Sequence, residues 1–514
     1  MALQRARSSL LHYALVVLLS LVQFRSFTTM VVISASSSVA AQVGPPTNSS
    51  NLPIGTCRPD VPCANGACCN GDSGLCGFGD SFCTEVSKGG NCTSNCDALA
   101  ECGIGSAPGH EKCPLNVCCS KFGFCGTDSD FCDDGCQSNC GQPTVPSCGV
   151  DEQTALTRRI GYYEGWAASR KCSSFSPEQI DAGTLTHINF AFALVSSSFE
   201  IVEMTEGDAD LWKRTTALKK GNPSLKVFLS IGGWTFNDPP TQHRFSDLAS
   251  SLDNMNAFAR SCFDVMQTYG FDGIDLDWEY PVAPDRGGKP ADKANYVALM
   301  KLLHTNFKEL GYGLTFTAPS SFWYLQNFDL EGMMPNVDWV NLMSYDLHGT
   351  WDRNDTWIGP VVAAHTNLTE IDAAVKLFWR AGVKPEQLVL GLGFYGRSFT
   401  LDSPSCNEPG CIWRSGGNKG ACSDNVGTLM WSEIKTALNG EDASVVFDPD
   451  AAVQMLTFGG DQWVSYDDER TFEAKLNYAN ERCLGGTMIW SVDQDDSFDY
   501  SARACESPHI MFSC

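Results

Sequence analysis

Positive charge is in short supply: 35 Lys and Arg stand against 60 Asp and Glu among the 514 residues, a formal net charge of −25. Such a chain repels nucleic acid and other polyanions, so these are excluded as partners. Charged residues of either sign make up only 18% against 43% hydrophobic, which excludes disorder as the dominant state. Long apolar runs are missing after the N-terminus. The one candidate, Leu10 to Phe24, falls short of the ~20 residues that span a bilayer as a helix. Arg5 and Arg7 precede that run, and Val39 and Ala41 suit cleavage after Ala41, so 1–41 reads as a secretory signal peptide, with an uncleaved anchor as the alternative.

What the chain has in excess is cysteine. There are 25, of which 17 lie between Cys57 and Cys148, a density that belongs to an oxidising, extracellular or wall-associated setting. After a linker, 42–56, the block divides into two similar halves. Residues 57–97 hold Cys57, Cys63, Cys68, Cys69, Cys76, Cys83, Cys92 and Cys96, and residues 98–141 hold Cys102, Cys113, Cys118, Cys119, Cys125, Cys132, Cys136 and Cys140. Modules this small need covalent constraint to fold. Zinc is the competing explanation, but there is no histidine pair at ligand spacing. Connectivity does not follow from spacing. Sequons occur at Asn48, Asn91, Asn354 and Asn367.

Beyond a second linker, 142–157, eight β-like runs alternate with helical patterns: RRIGYYEGW, THINFAFAL, KVFLSIGGW, GFDGIDLDWEYP, GLTFTAPSS, VDWVNLMSYD, LVLGLGFYGRSF and LGGTMIWSVD. Met255, Phe258, Cys262 and Met266 recur at helical spacing before Gly270, as do Tyr296, Leu299, Leu303 and Phe307 before Gly311. Eight such repeats predict an α/β fold, a (β/α)8 TIM barrel over 158–505. The gap between the seventh and eighth runs, about 401–480, is too long for one helix and its loops and predicts an α+β insertion. After the eighth run SARACESPHIMFSC offers no eighth helix, which leaves barrel closure open. Nine cysteines from Cys148 onward leave at least one unpaired, with Cys514 the candidate.

In the fourth run, Asp275, Asp277 and Glu279 fall at alternate positions, so on a strand they share one face while Ile274, Leu276 and Trp278 take the other. At ~6.6 Å between same-face neighbours in a partly dry site, repulsion must raise at least one pKa. Glu279 stands nearest the C-terminal end, where barrel enzymes keep their active sites, and is the candidate general acid. A divalent metal is the other reading of clustered acids, yet this column comes from one strand and lacks histidine, so we expect neither metal nor cofactor. A lone acid among aromatics suits glycosidic cleavage, but Asp277 lies on the same side as Glu279, a poor position for attack from the opposite face. A nucleophile supplied by the substrate would resolve this.

DGIDLDWEYP, SIGGW, MSYD and GGTMIW together resemble family 18 glycoside hydrolases, the chitinases, from about Arg159 to Asp496. The resemblance implies that the substrate's 2-acetamido carbonyl attacks. It implies Glu279 as acid and then base, Asp277 orienting the acetamido group, Asp275 holding a shared proton and Tyr345 bonding the carbonyl. Trp490 would floor the cleavage site, and Tyr162, Phe192, Trp234, Met343, Asp346, Trp351, Tyr395 and Arg397 match other substrate contacts. Taken singly, Phe192 and Met343 read equally well as core.

CCSKFGFCGTDSDFC is similar to hevein-type chitin-binding modules, which implies sugar contacts at Ser120, Phe122, Phe124 and Phe131. With so little interior, Phe122 and Phe124 should be exposed; a small apolar patch under the disulfides is the alternative. The first repeat departs from the pattern, with one extra residue and with Gly74 and Leu75 where aromatics are wanted. The whole is expected to be a secreted, monomeric, retaining hydrolase of β-1,4-linked N-acetylglucosamine polymers, with chitin and its oligomers as its partners and no membrane contact after signal cleavage. The architecture also resembles chitinases related to the wall-binding subunit of yeast killer toxins. This leaves open an adhesion or toxin-delivery protein with secondary hydrolysis, or an endo-β-N-acetylglucosaminidase acting on glycoprotein glycans.

Overall fold

The computed structural model describes residues 55–63, 66–149, 153–355 and 358–495. The expected signal peptide, the Asn48 sequon, Cys505 and Cys514 lie outside them. Among the described residues no helix is long and apolar enough to cross a membrane, and the free cysteine is Cys262, buried.

The first cysteine module forms one compact unit. Leu75–Gly77, Cys68–Asn70 and Cys92–Ser94 make a three-stranded antiparallel sheet. Its disulfides join Cys57–Cys69, Cys63–Cys76, Cys68–Cys83 and Cys92–Cys96. The second module, which belongs with the barrel in the other unit, repeats that connectivity as Cys102–Cys119, Cys113–Cys125, Cys118–Cys132 and Cys136–Cys140. The sequence repeat is therefore a repeat of covalent framework, and the cysteines are consumed by disulfides rather than by metal.

The barrel strands are β1 (Arg159–Glu164), β2 (His187–Val195), β3 (Lys226–Gly232), β4 (Gly273–Asp277), β5 (Gly313–Pro319), β6 (Trp339–Met343), β7 (Leu388–Gly393) and β8 (Gly486–Trp490). All pair in parallel in chain order, and β8 pairs with both β7 and β1, so the barrel closes. Closure is made by the backbone ladder and does not depend on the outer layer of helices. The interior is filled by Ile160, Tyr162, Phe228, Trp339, Val389 and Met488, side chains contributed at alternate positions from several strands.

Outside, α1 (Asp208–Ala217), α2 (Leu252–Tyr269), α3 (Asp292–Phe307), α4 (Leu368–Arg380) and α5 (Glu469–Glu481) cover the sheet. In α2 the buried residues include Met255, Phe258, Cys262 and Met266, and Gly270 caps the helix at φ 83°, a left-handed conformation that glycine adopts without strain. Short turns replace a helix between β1 and β2, and two one-turn helices, Phe322–Leu325 and Leu330–Met333, serve between β5 and β6.

The insertion is an antiparallel sheet built from Tyr395–Leu401, Trp413–Gly416, Thr428–Met430, Ser444–Asp448, Val453–Phe458 and Gln462–Tyr466, with a helix at Trp431–Leu438. It starts and ends earlier than the expected 401–480. LVLGLGFYGRSF reads as one strand, but the chain leaves the barrel at Phe394 and enters the second sheet at Tyr395. At the far end, α5 is a barrel helix.

The segment 142–157 is no free tether either: Cys148 is disulfide-bonded to Cys483, and the Ala155 amide donates to Asn480 Oδ1 at 2.9 Å. The second module also touches α4. Arg380 donates to the Gly141 carbonyl at 2.8 Å, and Asn116 donates to the Arg380 carbonyl at 3.0 Å.

Candidate active site

Strand β4 delivers the acids. Its ladder sets Asp275 level with Ser230 on β3 and Thr315 on β5. The Asp275 carboxylate, fully buried, accepts from Ser230 Oγ (2.7 Å), Thr315 Oγ1 (2.7 Å), Tyr162 Oη (2.8 Å) and Asn341 Nδ2 (3.2 Å). Burial raises its pKa, and the four hydrogen bonds oppose that rise. Asp277 accepts from Thr317 Oγ1. Burial, and then the charge of Glu279, pushes it well above the usual carboxylate range.

Glu279 lies beyond the strand, which ends at Asp277. The expectation that all three acids share one strand is corrected here, because β4 runs out of partners at Leu276 on one side and Asp277 on the other. Alternation persists regardless. Trp278 turns outward against Phe245 and Tyr296, with centroids at 5.4 and 5.0 Å, and Glu279 faces the mouth, 8% exposed. Burial raises its carboxyl to about 7, against a hydrogen bond from Tyr280 and the charge of Arg286. Burial therefore leads for each acid, ahead of the mutual repulsion that the spacing suggests.

Around this mouth Trp490 stacks on Phe192 at 5.6 Å and lies 5.5 Å from Tyr162. Trp234 and Trp351 are half exposed, at 50% and 48%. The glycine pair before Trp234 is enforced by close approach: a Cβ on Gly232 would meet the Asp277 carbonyl at 2.2 Å, and one on Gly233 the Phe192 ring at 2.5 Å. Tyr162, 1% exposed, sits in the hydrogen-bond shell of Asp275 and not on an open wall. Tyr345 is buried, with its hydroxyl 3.8 Å from Met488 Sδ, a weak contact that a better acceptor can replace. Met343 is partly buried beside it.

Asp346 accepts from Arg397 Nε at 2.7 Å and Tyr395 Oη at 2.5 Å. Burial alone would raise its carboxyl, but Arg397 and the hydrogen bonds of His365 and Arg397 hold it well below the usual range.

Residues 158–495 match the family model described as glycosyl hydrolases family 18. The chain belongs to this family. Residues 101–140 match a second model, chitin recognition protein. The chain is 33% identical over 414 residues to a probable chitinase, LysM18, of Penicillium expansum, covering 74% of this chain and 28% of that one. It is 31% identical over 479 residues to the killer toxin subunits alpha/beta of Kluyveromyces lactis, covering 85% and 40%. It thus spans well under half the length of either relative. Among solved structures, the Ostrinia furnacalis Group IV chitinase in complex with allosamidin superposes with a TM-score of 0.61 at 28% identity, covering 67% of this chain and 95% of that one.

Several residues of this family 18 site escape the sequence reading. Ser230, Thr315, Thr317 and Asn341 supply the donors beneath the acids. Their signal is a polar residue at an inward position of an otherwise apolar strand. Arg286, 6% exposed, donates to the Glu279 carbonyl at 3.0 Å and the Trp234 carbonyl at 2.7 Å. His365, fully buried, donates from Nε2 to the Tyr395 carbonyl (3.2 Å) and faces the Asp346 amide with Nδ1. Trp323, on the helix that follows β5, is 65% exposed.

In the chitin-recognition module, Phe122 is 47% exposed with Lys121 Nζ 5.3 Å from its ring centre. Phe131 lies directly over Gly126, where any Cβ would clash. Two expectations change. Phe124 is half-buried rather than open, and Ser120, 3% exposed, has its hydroxyl oxygen engaged by the Phe124 amide at 3.1 Å.

Proposed function

We propose that the protein is a secreted chitinase that cleaves β-1,4-linked N-acetylglucosamine polymers with retention, through attack by the substrate's own acetamido oxygen. The observation that carries the reading is Glu279, a buried carboxyl at the barrel mouth raised to about 7 above two further buried acids. A carboxyl so poised is protonated in part near neutrality and can donate to a glycosidic oxygen. The neighbouring carboxylates are already engaged, Asp346 by Arg397 and Asp238 by Arg286, which leaves the substrate to supply the nucleophile.

In this mechanism Glu279 gives its proton to the leaving oxygen as the C1–O bond breaks, and the acetamido oxygen closes on C1 from the other face. Asp277 orients the acetamido nitrogen, and Tyr345 turns its hydroxyl from Met488 to the acetamido carbonyl. Glu279, now ionised, takes a proton from water as that water opens the oxazolinium ring at C1, so the starting configuration returns. The resemblance assigns the shared proton to Asp275, but Asp275 already accepts four hydrogen bonds and Asp277 one, which favours Asp277 as its resting place before substrate binds. Ring stacking on Trp490 and rim contacts at Trp234, Trp351 and Arg397 complete the cleft.

Export is supported by the leader pattern of 1–41 and by disulfides throughout the described chain. The chitin-recognition module would hold the enzyme on insoluble polymer and raise its effective concentration there. Early product anomers from a defined chitin oligomer, read by proton NMR, test the reading: β product is expected, and α product would overturn it. Glu279→Gln should lower turnover by about 10²–10⁴-fold while oligomer binding persists. Biological effect surviving that change would favour the adhesion or toxin-delivery alternative, and faster release from N-glycans than from chitin oligomers would favour the third.

A further inference from the structure

Strands β7, β8 and β1 are neighbours, so the chain segments that leave β7 and β1 flank the end of β8, where Trp490 sits. Those two segments are joined covalently. Cys172, after β1, is disulfide-bonded to Cys422 in the insertion, 250 residues away, with Cα atoms 5.4 Å apart.

Neither anchorage is loose. Two residues before Cys172, Arg170 bonds both Glu164 and Asp493, which are buried, and Gln494 donates to Glu164 at 3.1 Å. On the other side the amides of Cys422, Ser423 and Met430 all donate to the Glu433 carboxylate, at 2.7, 2.9 and 2.9 Å. Ser423 Oγ donates to the Thr428 carbonyl at 3.2 Å, and Thr428 Oγ1 accepts from Arg397 at 2.8 Å. Arg397 in turn grips Asp346, next to Tyr345. A series of bonds therefore ties the segment after β1, which carries Trp166 with its ring 6.2 Å from Phe192, through the Cys172–Cys422 bridge to Arg397.

We propose that the Cys172–Cys422 bridge is a wall that closes the sugar groove at its β8 end. The polymer then enters by one chain end and loses a short product of fixed length. Bridged segments stay within about 7 Å, Cα to Cα, which leaves no gap for a pyranose ring to pass between them. Without the bridge, the segment after β1 and the insertion could part and let a chain run through. The proposal rests on the chitin-hydrolysing reading above and adds to it which end of the groove is shut.

Two measurements test it. Wild-type protein is given N-acetylglucosamine hexamers that are uncapped, or carry a bulky aryl amide cap on one end or the other. A cap on the end that meets the wall should slow cleavage by about 10-fold or more, and a cap on the far end should not. Equal rates for the two capped hexamers would overturn the wall, whereas an inert uncapped hexamer would overturn the hydrolase reading and the wall with it. The second measurement uses the Cys172→Ser/Cys422→Ser double variant on a soluble chitin derivative. Viscosity loss per reducing end formed should rise by about 3-fold or more, and product lengths should spread, while the rate on a short aryl glycoside stays within about 2-fold. An unchanged viscosity ratio with the aryl glycoside rate preserved would overturn the proposal.

Discussion

Arg286 binds three groups at once: the carbonyls of Glu279 and Trp234, and the carboxylate of Asp238 at 2.7 Å. Its guanidinium also lies 3.6 Å from the Trp234 ring centre, within the range where a cation is held by an aromatic face. It therefore positions one wall of the cleft and the acid together. Glu279 is active as a donor only when protonated, so turnover should fall as pH rises through about 7. The Arg286 charge pulls that value down against burial. Arg286→Met should move the alkaline limb of kcat to higher pH and raise KM through a loosened Trp234. A limb that stays in place in the pH profile would refute this coupling. None of it is visible in YPVAPDRGG, because two of the partners of Arg286, Trp234 and Asp238, lie in a distant segment that follows β3. The three acids are legible because they fall at alternate positions of one short run, a spacing that persists past the end of β4 at Asp277, whereas Ser230, Thr315, Tyr162 and Asn341 meet Asp275 only when four strands close around it.

At the scale of elements, the chain's own periodicity locates strands and helices well and their ends poorly. Strand β4 ends before its last acid because its neighbours stop pairing, a matter of register that the sequence of β4 does not contain. Strand β7 parts from the insertion at Phe394, inside a run with no break in apolar character. The small module illustrates the same limit. Its cysteine spacing marks a disulfide framework, but which phenylalanines face out depends on what covers them. Phe122 is the exposed ring, and Phe124 is not. Phe122→Ala should thus weaken adsorption to crystalline chitin by about 10-fold, since an aromatic contact of this kind contributes about 1–2 kcal/mol, and leave the rate on soluble oligomers unchanged. Equal losses on both substrates, in a depletion assay run beside an oligomer assay, would remove the module from substrate holding.

Across the whole molecule the ends of the barrel are tied together. Cys148, ahead of β1, is bonded to Cys483, just before β8, across 335 residues, and the bond lies at the end of the barrel away from the acids. A crosslink that closes so long a loop restricts the unfolded chain most. Cys148→Ser/Cys483→Ser should cost about 2–5 kcal/mol of barrel stability, read as a lower denaturant midpoint with soluble-oligomer kinetics intact. An unmoved midpoint would show that the bridge restrains nothing. The amino-acid sequence by itself determined the eight-strand alternation, the cysteine repeat, the anionic balance and the acids at alternate positions, since each is a local pattern of spacing or composition. Only the tertiary structure decided closure of the barrel, the disulfide partners, the donors beneath Asp275 and the raised carboxyl of Glu279. Those depend on which distant segments exclude water from one another, and the hydrophobic burial that raises a pKa exists only once the strands have met.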